Sequence, residues 1–161
     1  MTARFGIGFD AHRLAEGRRL VLGGVEIAHD RGLEGHSDAD VLVHAVIDAL
    51  LGAAGLGDIG LHFPDDDERW RDADSLDLLR RVSGLLDDGG LTVVHVDATV
   101  LAEAPKVSPH RDAMRAALAD ALGIEDGAVN VKATRGEGMG FVGRQDGIAA
   151  LAVATVEGAV I

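Results

Sequence analysis

The spacing of apolar residues along the chain predicts short strands alternating with longer helices. Residues 19–28 have the pattern of a β-hairpin that turns at Gly23-Gly24. In residues 75–88 the apolar positions recur with the period of a helix, which Gly89-Gly90 would end. The same patterns predict helices at 38–54 and 108–122 and strands at 3–9, 91–105, 128–134 and 146–161.

This order of elements predicts the fold class. Strands and helices follow one another in the arrangement of an α/β (α+β) protein, a single domain over residues 1–161. We expect a mixed β-sheet with the helices packed on one face, so that the other face is apolar and open to burial against further subunits. A long Gly- and Asp-rich loop at 55–74 and a Gly-rich loop at 135–144 interrupt the pattern, and loops as long as the first are usually functional or mobile.

Composition narrows the class of protein. The 161 residues are 47% hydrophobic, which suits a folded domain, and the 22 glycines indicate many tight turns. A formal charge of −12 argues against binding to nucleic acid or to anionic membranes. The absence of cysteine excludes disulfides and thiolate metal sites. Because the N-terminus lacks the apolar run of a secretory signal, we expect a cytoplasmic protein.

The helix predicted at 38–54 begins with an unusual number of titratable residues. Ser37 and Asp40 have the spacing of a capping box, which places Ser37 at the N-cap, and Asp38 would also contribute to capping and stabilise the helix dipole. Capping does not explain His44, an imidazole among valines, leucines and alanines that needs a polar partner. Either Asp40 or Asp48, each one helical turn away, could supply that partner, and a metal ion is the alternative.

Asp10 and His12 offer the rest of such a metal site. If strand geometry continues to residue 12, both side chains point to the same side, although a surface histidine at a strand end would give the same pattern. Together with His44 they would make three protein ligands and leave an open coordination position, as in catalytic sites. Nitrogen and oxygen donors favour zinc, with manganese or cobalt as alternatives.

Three further segments carry candidate chemistry. LGDIGLHFPDDD, at 56–67, is either a solvated acidic turn or part of a site beside the metal helix. AEAPKV, at 102–107, is either a surface turn or a pocket whose backbone groups and Lys106 receive a polar ring. In KATRGEGMGFVGR, at 132–144, Thr134, Arg135 and Arg144 could hold phosphate oxygens, and Glu137 could hold Mg²⁺.

These segments, in this order, resemble the 2-C-methyl-D-erythritol 2,4-cyclodiphosphate synthase family. The matching stretches are GFDAHR, GHSDADVLVHAVIDALLGAAGLGDIGLHFPDDD, AEAPK and VKAT…GFVGR. The resemblance implies a homotrimer with interfacial active sites and a phosphorus-oxygen lyase of isoprenoid precursor synthesis. Such an enzyme converts 4-diphosphocytidyl-2-C-methyl-D-erythritol 2-phosphate to the cyclic diphosphate and releases CMP.

The resemblance also implies roles for individual residues. A divalent metal, usually zinc, would be held by Asp10, His12 and His44, and Mg²⁺ between the phosphates would be contacted by Glu137. The catalytic residues would be His36, Arg135 and Glu137. Substrate contacts would come from Asp10, His12, Ser37, Asp58, Ile59, Gly60, Phe63, Asp65, Asp66, Asp67, Ala102, Pro105, Lys106, Val107, Ser108, Ala133, Thr134, Phe141 and Arg144.

Three positions depart from the family pattern. Gly138 stands where many members have lysine, and the Val107-Ser108 pair replaces bulkier apolar residues. Arg135 stands where the family usually has threonine or serine, whose hydroxyl is assigned to stabilising the transition state. The guanidinium could stabilise phosphate charge more strongly, or it could crowd the nucleotide. Two other functions therefore stay open at this point: a catalytically weakened relative that binds nucleotides or isoprenoid diphosphates, and a metal-dependent phosphohydrolase.

Overall fold

A computed structural model describes residues 1–159 as one domain of mixed α/β architecture. The strands are β1 (Thr2–Ala15), β2 (Leu20–Leu22), β3 (Val25–Ile27), β4 (Gly32–Leu33), β5 (Leu91–Leu101), β6 (Val129–Thr134) and β7 (Gly147–Gly158). The helices are α1 (Val41–Ala54), α2 (Ile59–His62), α3 (Ser75–Asp88), α4 (Arg111–Leu122) and α5 (Gly140–Gly143). None of the helices within residues 1–159 is long and apolar enough to cross a membrane.

Five strands form one mixed sheet in the order β4-β1-β7-β5-β6. β7 pairs antiparallel with both β1 and β5, whereas β5 and β6 run parallel. The predicted hairpin is confirmed as the separate pair β2 and β3, which turns at Gly23-Gly24. The mixed sheet and the helix at 75–88 are confirmed as well.

The two faces of the sheet differ in the size of their side chains. Gly6 and Gly8 face α1, and Ala150, Ala152 and Ala154 of β7 share their face of the sheet, which lets this helix lie directly on the centre of the sheet. The opposite face carries Phe5, Ile7, Phe9, Leu151 and Val153, all of them at least 39% exposed. The predicted open apolar face is therefore confirmed.

Several predicted boundaries are wrong for identifiable reasons. β1 runs to residue 15 instead of 9, because its pairing with β7 continues through Asp10 and His12. β5 ends at residue 101 instead of 105, because β6 pairs with it no further than residue 134. The helix predicted at 108–122 begins as a 3₁₀ turn over Ser108–His110, and the loops 55–74 and 135–144 contain α2 and α5. The last predicted strand ends at residue 158, and residues 160 and 161 lie outside the described part of the chain.

The N-cap of α1 also corrects the sequence prediction. Ala39 has a positive φ of 57°, which a right-handed helix cannot accommodate, so the helix starts after it. Asp40 is the cap, and its carboxylate accepts hydrogen bonds from the amides of Val43, Gly23 and Gly24. Burial raises the pKa of Asp40 to about 6 even though these three donors favour the carboxylate.

Replacing Asp40 with alanine is expected to destabilise the protein by roughly 2–4 kcal/mol, because the helix loses its cap and two further amides lose their acceptor. Urea unfolding of the wild type and the variant measures this difference. Asp120→Ala, an exposed residue of α4, is the matched control and should change stability little. Equal stability of the Asp40 variant and the wild type would show that the buried carboxylate does not hold the hairpin to α1.

Candidate metal centre and adjoining cavities

Three side chains converge where the second half of β1 crosses α1. Oδ2 of Asp10 lies 2.9 Å from Nε2 of His12 and 3.0 Å from Nδ1 of His44. The two ring nitrogens are 3.2 Å apart. Zinc with ligands at about 2.0–2.1 Å in a tetrahedral arrangement would separate them by about 3.3 Å, so the triangle fits three of four vertices. It is the one group of potential metal ligands that residues 1–159 bring together.

The local fold explains why these three residues meet. Asp10 and His12 lie two positions apart on β1, and because this strand continues to residue 15 they share a face. Gly8 faces the backbone of Ala45, so the strand and the helix approach closely beside His44. The expectation that strand geometry persists to residue 12 is confirmed.

The partners predicted for His44 are not those that the structure places there. Asp40 caps the helix, and Asp48 accepts a hydrogen bond from the amide of Ile59 at 2.8 Å. Instead, Nδ1 of His44 faces Asp10, while its Nε2 lies near the hydroxyls of Ser75 and Ser37. Both carboxylates that could have paired with the imidazole therefore accept hydrogen bonds elsewhere, Asp40 at the helix cap and Asp48 at the start of α2.

The electrostatics of the triad favour an ionised carboxylate. Partial burial opposes the charge on Asp10. In the acidic range where Asp10 titrates both imidazoles are protonated, and their hydrogen bonds and positive charge outweigh burial and hold the pKa of Asp10 well below the usual range. For His12, desolvation lowers the pKa, but the hydrogen bond to Asp10 and the other interactions raise it more. Nδ1 of His12 donates a hydrogen bond to the carbonyl oxygen of Glu34 at 2.9 Å. In the neutral ring this leaves the lone pair of Nε2 facing the triad.

Metal affinity should therefore depend on pH through His12. Metal binding needs the neutral imidazole, and the raised pKa means that protons compete at pH values above the ordinary 6.5. Affinity should be constant well above the raised pKa and should fall by up to about tenfold per pH unit below it. Zinc titration calorimetry in a pH series measures this, and equal affinity at about pH 8 and about pH 6 would contradict the assignment of His12.

A cavity of about 430 Å³ opens beside the triad. Predicted site residues line much of it, namely Asp10, His12, His36, Ser37, His44, Ile59, Gly60, Phe63, Asp65 and Asp66. The sequence prediction missed Gly35, Pro64, Trp70 and Leu78. Trp70 could have been found from the sequence, because it is the single tryptophan of the chain. It packs edge-on against Phe63 with 5.0 Å between ring centroids.

A second cavity, of about 440 Å³, lies between the ends of β5 and β6. Eight predicted residues line it: Ala102, Pro105, Lys106, Val107, Ser108, Ala133, Thr134 and Arg135. Glu103, which lies in the predicted pocket segment 102–107 but had no role of its own, accepts hydrogen bonds from Arg135 Nη2 and from the amide of Gly136, each at 2.9 Å. Desolvation raises the pKa of Glu103, but these two donors outweigh it and hold that pKa below the usual range.

The structure does not bring every predicted residue to these two cavities. Asp58 caps α2 and Asp67 pairs with Arg69, so both carboxylates are occupied, and neither residue lines one of the two cavities. Phe141 and Arg144 line a third cavity that includes His12 and not Arg135, so the two arginines predicted to hold phosphate oxygens lie at different cavities. Glu137 is exposed on the loop before α5 and lines none of these three cavities.

Comparison with protein families identifies the family of this chain. The model of the YgbB family matches residues 3–157, which is nearly the whole chain. The chain belongs to the YgbB family. It is 60% identical over 156 residues to 2-C-methyl-D-erythritol 2,4-cyclodiphosphate synthase of Salinibacter ruber, and the match covers 97% of this chain and 99% of that protein.

Solved structures extend the YgbB-family likeness to three dimensions. The bifunctional IspDF of Campylobacter jejuni matches 98% of this chain with a TM-score of 0.94 and 40% identity, over 43% of that longer chain. IspF of Plasmodium falciparum, solved as a CDP complex, matches 98% of this chain and 97% of its own with a TM-score of 0.85 and 30% identity. The family resemblance drawn from the four sequence stretches is confirmed.

Proposed function

We propose that this chain is a 2-C-methyl-D-erythritol 2,4-cyclodiphosphate synthase, a phosphorus-oxygen lyase of the non-mevalonate isoprenoid pathway in the cytoplasm. It converts 4-diphosphocytidyl-2-C-methyl-D-erythritol 2-phosphate to 2-C-methyl-D-erythritol 2,4-cyclodiphosphate and CMP. The observation that carries the proposal is the Asp10–His12–His44 triangle at the mouth of a cavity, in a chain 60% identical to a protein of that name.

The reaction is an internal displacement at phosphorus. An oxygen of the 2-phosphate forms a bond to the β-phosphorus of the diphosphate, and the bond from that phosphorus to the bridging oxygen breaks, so CMP leaves with the electron pair. When bound, a divalent ion at the triad, zinc being preferred, and Mg²⁺ between the phosphates supply the positive charge that lets one anion attack another. The chain's own residues hold the two reacting groups in line.

The residues around the first cavity are proposed to bind the erythritol and its phosphates. Nε2 of His36 donates to the carbonyl oxygen of Asp67 at 2.9 Å, which fixes its ring at the cavity wall. His36 and Ser37 are assigned to the reacting phosphates, and Asp58, Asp65, Asp66 and Asp67 to the erythritol side. Glu137 is assigned to Mg²⁺, while Phe141 and Arg144 are further substrate contacts.

The second cavity is proposed to receive the cytidine. Its lining offers backbone groups from the ends of β5 and β6 and the ammonium group of Lys106. The P. falciparum relative solved with CDP supports a nucleotide of this class. Arg135 pairs with Glu103 through one guanidinium nitrogen, and we assign its remaining donors to the phosphates beside the cytidine.

A homotrimer completes the proposal. Within one protomer no described residue lines both cavities. We therefore propose that the first cavity of one protomer meets the second cavity of a neighbouring copy. The open face with Phe5, Ile7, Phe9, Leu151 and Val153 supplies an apolar surface for such contacts. Analytical ultracentrifugation should give three times the chain mass of 16.7 kDa, and a monomer at micromolar concentration would contradict the assembly.

The enzyme assay tests the proposed reaction. Purified protein with Zn²⁺ and Mg²⁺ should release CMP from the diphosphocytidyl substrate, as followed by chromatography. Treatment with a chelator should stop the release, and added zinc should restore it. Absence of CMP from metal-loaded protein would refute the synthase assignment, and release that persists in chelator would refute the role of the metal.

A further inference from the structure

His44 has a second polar contact on the side of its ring that faces away from the triad. Its Nε2 lies 2.8 Å from Oγ of Ser75, the first residue of α3, which is fully buried. The hydroxyl of Ser37 is 3.1 Å from the same nitrogen. A buried ring nitrogen with these neighbours has a defined protonation state only if the direction of its hydrogen bond is fixed.

Asp38 fixes that direction through Ser75. The Ser75 hydroxyl is in very short contact with Oδ1 of Asp38, and the Ser75 amide donates to Oδ2 at 2.9 Å. An ionised carboxylate can only accept, so the Ser75 hydroxyl must donate its single proton to Asp38. The oxygen of Ser75 is then an acceptor toward His44, so this contact favours a hydrogen on Nε2 of His44 over one on Nδ1, which would face the Asp10 carboxylate.

The consequence falls on the nitrogen that faces the metal site. A neutral imidazole carries one hydrogen, so a proton on Nε2 leaves a lone pair on Nδ1, which points to Asp10 and His12. Ser37 does not impose this direction, because its oxygen accepts from the amide of Ala39 and its own proton is not committed to a carboxylate. The relay therefore depends on Ser75 and Asp38.

We propose that Asp38 and Ser75 are positioning residues that hold His44 in the tautomer able to bind a metal through Nδ1. The inference rests on the proposed function, which supplies the divalent ion. Tying α3 to the loop before α1 would require only the bond from the Ser75 amide to Asp38. Such a purely structural role leaves the other contact unexplained, in which the oxygen of Ser75 lies 2.8 Å from Nε2 of His44.

Two measurements test the relay, and the first needs no metal. Nitrogen-15 NMR of the metal-free wild type at about pH 9, above the ordinary imidazole range, reports which nitrogen of His44 is protonated. The second is the zinc affinity of Ser75→Ala and Asp38→Asn, measured by competition with a chromophoric chelator. Ser83→Ala is the matched control, because this serine lies on the same helix and its hydroxyl bonds the carbonyl oxygen of Leu122.

We expect the hydrogen on Nε2 of His44 in the wild type. Zinc affinity should be about 10–100-fold weaker in Ser75→Ala and Asp38→Asn and unchanged in Ser83→Ala. A hydrogen on Nδ1 in the wild type, or wild-type affinity in both variants, would overturn the relay and leave the synthase assignment intact. Failure of the wild type to bind zinc would overturn the metal site instead, while the NMR result would still decide the tautomer. If the variants fail to fold, the wild-type spectrum alone decides.

Discussion

Replacing His44 with alanine is expected to abolish metal binding at the triad and to lower CMP release by about 10³-fold or more. The variant leaves two ligands, Asp10 and His12, where the triangle of donors has three. Charge neutralisation by a bound metal is worth several kcal/mol in such transition states, and about 4 kcal/mol corresponds to about 10³-fold in rate. Zinc content after dialysis and the rate of CMP release measure both effects.

The control for this variant is a histidine outside the site. His29→Ala changes a side chain whose charged neighbour is Asp30 and which lines none of the cavities beside the triad, so metal content and rate should stay near the wild type. Full zinc occupancy in the His44 variant would show that His44 is not a ligand. Loss of zinc with an unchanged rate would show that the metal takes no part in the reaction.

Replacing Gly8 with alanine is expected to destabilise the protein by about 3 kcal/mol or more and to weaken zinc binding. A methyl group at Gly8 would overlap the carbonyl oxygen of Ala45 and lie 2.8 Å from the amide nitrogen of Ala49. Both atoms belong to the backbone of α1, so no side-chain rotation relieves the overlap and the helix has to move. The shift would separate His44, next to Ala45, from Asp10 on the strand.

Thermal unfolding and zinc titration measure the two effects of the Gly8 variant. A loss of 3 kcal/mol would lower the midpoint by about 6–12 °C in a domain of this size. Gly84→Ala is the matched control, because that glycine lies on α3 with open space around it, and alanine there should be neutral or stabilise by up to about 1 kcal/mol. Equal midpoints for Gly8→Ala and the wild type would disprove the close contact of β1 with α1.

The sequence predicted the main elements well where a regular pattern of side chains determines them. The hairpin around Gly23-Gly24 and the helix at 75–88 follow directly from turn chemistry and apolar spacing. The prediction failed at the ends of elements, where pairing between distant segments decides. β1 continues past residue 9 because β7, more than 130 residues later in the chain, pairs with it as far as residue 13, and β4 pairs with residues 14 and 15.

The candidate site was predicted through its ligands, while much of its surroundings was missed. His44 stood out because an imidazole among apolar residues needs a partner, and Asp10 and His12 offered two further ligands. The sequence indicated only a helix-capping role for Asp38 and no role for Ser75. The contacts of Ser75 with Asp38 and with His44 join segments about 30 to 40 residues apart. Local spacing carries no information about such contacts.

Phosphorus NMR of the reaction products tests the central claim most directly. Wild-type protein with Zn²⁺, Mg²⁺ and 4-diphosphocytidyl-2-C-methyl-D-erythritol 2-phosphate is followed until the substrate is consumed, and the same spectra are recorded for Arg135→Thr. Cyclisation predicts the cyclic diphosphate and CMP in equal amounts with the wild type. Linear phosphate products, which a phosphohydrolase would give, or unchanged substrate, which a protein that only binds the nucleotide would leave, would contradict the account.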